Sequence, residues 1–101
     1  MEYFIGVDAT CTIRLILSGR LTFKDHVLMA KLVKQVVTDK LNRVVIDLSA
    51  LEFIDSVGLG MLIVLAEEVH KFGGRFTIEN QRGQVARVFI TVQFDKFLKF
   101  L

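Results

Sequence analysis

The sequence predicts a single mixed α/β domain, on three observations. Its 101 residues suit one domain and leave no room for a second lobe. Runs with a two-residue apolar period alternate with runs of helical period. One run, Val44, Val45, Ile46 and Leu48, is apolar almost throughout, as in a strand buried on both faces of a parallel sheet.

Each element follows from its own pattern. Residues 3–8 read as a short strand. In the next run, Cys11, Ile13, Leu15 and Leu17 share one parity, against Thr12, Arg14, Ile16 and Ser18. That alternation marks a half-buried strand, with Cys11 as a small buried residue. A turn at residues 8–10 joins the two as a hairpin. Over residues 24–40, Met29, Leu32, Val33 and Val36 fall on one helical face, with Lys31, Lys34, Gln35 and Thr38 opposite. Thr22 or Asp25 caps this helix. A link at residues 41–43 leads into the buried strand, which ends near Leu48 before a short loop. A second helix covers residues 56–72. Leu62, Leu65, Ala66, Val69 and Phe72 form its apolar stripe, and Gly73 and Gly74 stop it. Residues 75–79 form the next strand. Val85, Val88, Phe89 and Val92 mark a third, short helix, and residues 96–101 return as a final strand. The order is β-β-α-β-α-β-α-β, an antiparallel N-terminal hairpin on an otherwise parallel sheet with helices packed on it.

Composition narrows the function. The chain is 52% hydrophobic, so some apolar surface stays exposed for a partner. Its longest apolar run, residues 61–66, is far short of the roughly 20 residues of a membrane span. No basic-then-apolar leader opens the chain. A soluble, cytoplasmic protein with no membrane insertion is expected. The net charge is +2, and Arg14, Arg20, Lys24, Arg43, Arg75 and Arg87 are scattered rather than clustered, which argues against nucleic acid. The lone Cys11 excludes an internal disulfide. His26 and His70 lie on separate elements, as polar surface residues without metal-ligand spacing. No cofactor and no metal are expected.

The informative segment is residues 44–60, VVIDLSALEFIDSVGLG. Asp55, Ser56, Val57, Gly58, Leu59 and Gly60 open the second helix beyond the end of a buried strand, where open α/β sheets place their sites. Ser56 has two readings. Ser and Asp are preferred N-caps, whose oxygens accept from unpaired first-turn amides. Gly58 and Gly60, however, each cost up to about 1 kcal/mol in a helix. Open backbone access for a partner beside the serine offsets that cost. Phosphorylation gives such access a purpose. A phosphoserine adds roughly −1.5 to −2 charge, which a helix N-terminus tolerates and an apolar interface does not. Val57, Met61, Ile63 and Val64, with Val27 on the first helix, form a candidate apolar patch beside Ser56. The competing reading is that these side chains pack better than a helical wheel suggests.

An enzyme is not supported. Residues 54–58 lack the first glycine of G-x-S-x-G, no histidine is placed as a base, and no P-loop is present.

With Ser18-Gly19-Arg20-Leu21 as a Gly-x-Leu turn, Val45-Ile46-Asp47-Leu48, Phe53 to Gly60, the Gly73-Gly74 stop and the segment from Val85 to Phe97, the chain resembles the STAS-domain family. In particular it resembles the single-domain bacterial anti-sigma factor antagonists, over essentially its whole length, residues 1–101. The resemblance implies Ser56 as the phosphoacceptor of a serine kinase that is also an anti-sigma factor, with a histidine-kinase-like ATPase fold. It implies that the unphosphorylated form binds this kinase and releases its client, that phosphorylation ends binding, and that a PP2C-type phosphatase restores it. Expected partner-binding residues are Arg20, Thr22, Asp55, Ser56, Val57, Gly58, Leu59, Gly60, Met61, Ile63 and Val64. Val57 stands where many relatives carry Ser or Thr, leaving Ser56 the only acceptor in the motif. Thr22 stands where many have an acidic residue. A C-terminal helix common in relatives is expected to be missing, which would leave sheet surface for a partner or a homodimer. The alternatives are a STAS scaffold or transport-associated module, or a switch with a non-sigma target.

Overall fold

The computed structural model describes residues 1–37, 43–94 and 96. Its strands are β1 (Glu2–Val7), β2 (Thr12–Leu21), β3 (Arg43–Ile54) and β4 (Arg75–Glu79). Its helices are α1 (His26–Val36), α2 (Ser56–Lys71) and α3 (Gly83–Thr91), with a 3-10 turn, Phe23–Asp25, leading into α1. The fold is mixed α/β, and the described residues form one four-stranded sheet ordered β1-β2-β3-β4. β1 runs antiparallel to β2; β3 runs parallel to both β2 and β4.

The alternation of β2 and β3 decides which face packs. Leu15, Leu17, Val44, Ile46 and Leu48 point into one core with Met29, Leu32 and Val36 of α1, Leu62, Leu65 and Val69 of α2, and Val85 and Phe89 of α3. β3 is central and apolar on both faces, as its sequence predicts: Val45, of opposite parity, is buried as well. On that side an Arg14–Glu79 ion pair joins β2 to β4, passing over β3 at Val45 and Asp47. β4 has the expected bounds.

Several expectations are corrected. Cys11 is exposed, with φ 60°, in the β1–β2 turn rather than buried in a strand. Asp8 organises that turn: its Oδ1 accepts from the Thr10 amide at 2.9 Å and the Thr12 amide at 3.1 Å. Residues 18–21 are no turn. They extend β2 through a bulge, with Gly19 at φ 82° and register shifts on either side. β3 does not end at Leu48; pairing with the far half of β2 carries it to Ile54. The first helix is shorter than expected: α1 begins at His26 and its C-cap is Val37. The expected helical residues 38–40 lie outside the described residues, as does the final strand apart from Lys96, which is helical rather than extended, its amide donating to Gln93 O at 3.0 Å. Phe72 and Val92, expected in apolar stripes, are exposed. Phe72 caps α2, and the chain turns away at Gly73 (φ 81°). The Gly74 amide donates to Val69 O and the Gly73 amide to His70 O, both at 2.9 Å, a Schellman closure.

Among the described residues, three carboxyls lie below their usual range. For Asp8 the Thr10 hydroxyl is the main cause, with the Thr12 and Thr10 amides. Burial opposes the charge of Asp25, but the Thr22 amide and the Met1 ammonium outweigh it. For Asp47 the Ser49 amide dominates over burial, helped by the Ser49 and Asn80 side chains and Arg14. A folded pKa below the unfolded value of 3.8 gives stability that is present above that value and lost as pH falls through the lowered one. Urea unfolding midpoints should therefore stay level from about pH 7 to 5 and drop below about pH 4. A midpoint unchanged down to about pH 2 contradicts this.

Candidate protein-interaction site

The site is built where β3 stops. Asp55 leaves the sheet in extended conformation and is the N-cap of α2. Its Oδ1 accepts from the Gly58 amide at 2.7 Å, and its Oδ2 accepts from the Phe23 amide at 3.0 Å. Its own amide donates to Leu21 O at 3.2 Å. One aspartate therefore ties the start of α2 to the end of β2 and to the 3-10 turn. The turn is itself fixed by a capping box. The Thr22 amide donates to Asp25 Oδ2 at 2.9 Å and the Lys24 amide donates to Thr22 Oγ1 at 3.4 Å. Asp25 Oδ1 takes the Met1 ammonium at 3.1 Å. Of the two expected caps, Thr22 is the one whose side chain bonds; Asp25 occupies the N-cap position of α1 without a side-chain cap bond there.

Asp55, and not Ser56, is thus the cap. Ser56 is the first residue of α2 and is exposed. Its hydroxyl makes no hydrogen bond to another described residue. Removing the cap should be costly. Asp55→Ala should lower stability by about 1–2 kcal/mol, read as a shift in the urea midpoint. A shift under about 0.5 kcal/mol contradicts the capping role.

The glycines differ. Gly58 is buried, and a Cβ there would stand 2.4 Å from Leu21 O. Its small size serves close packing of α2 on β2, which overturns its reading as open access. Gly60 has nothing within 4 Å of such a Cβ and lies open.

The apolar residues also divide. Val57 is 47% and Val64 51% exposed, while Leu59 is only 8% exposed and belongs to the core. Met61 and Ile63 are half-buried and packed against the core, so for them and for Leu59 the packing reading holds. Val57, Met61 and Val64 share one face of α2 by their spacing of four and three. Phe23 and Val27, 58% and 56% exposed, stand four apart on the 3-10 turn and α1. The Phe23–Asp55 hydrogen bond brings this second pair to the start of α2.

Arg20 and Thr22 meet Asp55 in a shallow groove of about 480 Å³ that also includes Phe23 and Lys24. The Arg20 guanidinium lies 4.3 Å from the centre of the Phe53 ring, which holds it in place on the sheet end. The sequence reading missed Phe23 and Lys24; an aromatic residue directly after the capping Thr22 was the available signal. It also missed Gln84, whose amide bonds Ile54 from thirty residues away. No periodicity encodes such a contact.

Both histidines are exposed, and among the described residues no group of His, Cys, Asp or Glu is arranged to hold a metal. No described helix is long and apolar enough to cross a membrane.

The STAS domain family model matches residues 11–101. An anti-sigma factor antagonist from Mycobacterium paratuberculosis superposes with a TM-score of 0.77 at 28% identity, over 95% of this chain and 80% of its own. A putative anti-sigma factor antagonist from Thermotoga maritima gives 0.81 at 22% identity, over 93% and 80%. The Bacillus cell fate determinant SpoIIAA in its phosphorylated form gives 0.65 at 18% identity, over 90% and 83%. The family match over nine-tenths of the sequence and the likeness in fold agree: the chain belongs to the STAS domain family.

Proposed function

We propose that this protein is an anti-sigma factor antagonist, a binding module rather than an enzyme, whose partner choice is switched by phosphorylation of Ser56. The observation that carries the reading is the division of labour at the start of α2. Asp55 does the capping, so Ser56 is left exposed in the first turn of α2, beside the exposed Val57 and next to the residue that bonds Phe23. Likeness to anti-sigma factor antagonists, one of them in a phosphorylated form, supports it.

In the unmodified state a serine kinase that doubles as the anti-sigma factor docks on this apolar surface and gives up its client. Its histidine-kinase-like ATPase fold supplies ATP. Ser56 Oγ attacks the γ-phosphorus, the bond to the β-phosphate oxygen breaks, ADP leaves and the hydroxyl proton is lost. The new phosphate adds roughly −1.5 to −2 charge. First-turn amides and the helix dipole accommodate it, so the fold survives. The docked apolar surface cannot solvate it, so the complex separates. A PP2C-type phosphatase restores the serine by adding water across the O–P bond. Affinity capture with wild type and Ser56→Asp, read by mass spectrometry, tests this. Wild type should retain a histidine-kinase-like ATPase that Ser56→Asp loses; equal retention by both refutes the switch.

A further inference from the structure

We propose that Gln84 is a positioning residue for the Ser56 site, gripping the strand end from which Asp55 and Ser56 leave. This rests on the phosphoacceptor reading above for its functional meaning. β3 has twelve residues, but β4 pairs only with Arg43–Asp47. Beyond Asp47 that edge of β3 has no neighbouring strand among the described residues, so its backbone groups are left to partners other than a strand. The α3 end supplies them. Arg82 Nε donates to Ser49 O. Gln84 Oε1 accepts from the Ile54 amide at 3.0 Å, and Gln84 Nε2 donates to Ile54 O at 2.9 Å.

A glutamine amide carries one acceptor and two donors, so it can stand in for the peptide group of a missing strand. The place gripped matters. Ile54 is followed directly by Asp55, whose carboxylate holds Gly58 of α2 and Phe23 of the 3-10 turn. The clasp itself is anchored, because the next residue, Val85, and Phe89 are buried in the core. α3 thereby fixes the residue on which the whole Ser56 corner hangs.

Amide hydrogen exchange by NMR on the full chain tests this with Gln84→Met and Gln84→Glu. Methionine keeps the length and removes both hydrogen bonds. It should speed exchange at least about tenfold at Ile54 and also at Phe23 and Gly58, while Leu65 and Val69 in mid-helix keep wild-type protection. Glutamate keeps the acceptor but faces Ile54 O with a second acceptor when ionised. Its protection factors at Phe23 and Gly58 should be lost near about pH 7 and recover in part near about pH 4.5, where a sizeable share of the carboxyls carries a proton to donate. Exchange that rises at Ile54 alone, or a pH-independent Gln84→Glu pattern, overturns the proposal. If Gln84→Met fails to fold, the two pH values of Gln84→Glu decide. Phosphate still entering a Ser56→Ala protein overturns the phosphoacceptor reading instead and leaves the exchange pattern untouched.

Discussion

Gly58→Ala is expected to destabilise this protein by at least about 2 kcal/mol. The added Cβ would sit 2.4 Å from Leu21 O and 3.0 Å from both Leu21 C and Leu21 Cγ. The first of these atoms is backbone, and it also accepts the Asp55 amide. Neither side can yield alone: β2 is held to β3 through Leu21↔Ile54, and α2 is held by the Asp55 cap. The helix start must lift, and the cap and the Asp55–Leu21 bond lengthen together. For a domain of this size, 2 kcal/mol corresponds to a drop of about 8–16 °C in melting temperature. The same substitution two residues on gives the opposite sign. Gly60 is helical and its Cβ would meet nothing. Gly60→Ala should therefore raise stability by about 0.5–1 kcal/mol. Differential scanning calorimetry of the two variants checks both signs, and equal effects would remove the packing argument.

Ser56→Asp is expected to weaken partner binding at least about 100-fold while leaving the fold intact. A hundredfold loss is about 2.7 kcal/mol, well within the cost of burying an unpaired carboxylate against apolar side chains. Because Ser56 is exposed and starts the helix, the new charge meets water and first-turn amides in the free protein. Folding stability should change by less than about 1 kcal/mol. Isothermal titration with the captured kinase, beside urea unfolding of the same sample, separates the two effects. Loss of binding accompanied by a comparable loss of stability contradicts a surface switch.

Local pattern carried much of this fold, and each of its failures has an identifiable physical cause. The bounds of β4 and the stop at Gly73 follow from short-range apolar alternation and backbone geometry, so both are readable. On its sequence β3 ends near Leu48, since Ser49 and Glu52 interrupt its apolar run. What extends it is pairing with residues 18–21 of β2, and those residues pair only because Gly19 admits a bulge. Cys11 fits the parity of Leu15 and Leu17, yet Asp8 captures the amides of Thr10 and Thr12 and bends the chain before the strand begins. At the start of α2, residues 55–60 read from the sequence as a helix opening, and the helix does begin there, capped by Asp55. The sequence could not separate Gly58 from Gly60, since the difference is the distant Leu21 carbonyl. Nor could it separate Val57 and Val64 from Leu59, Met61 and Ile63, because the tilt of a helix on its sheet is a tertiary property.

The most direct test is phosphopeptide mapping after incubation with ATP and the kinase retained by wild type. The mechanism predicts one phosphorylated peptide, bearing the modification on Ser56, and none in Ser56→Ala. Undiminished phosphate in Ser56→Ala, or modification of another residue alone, would contradict it.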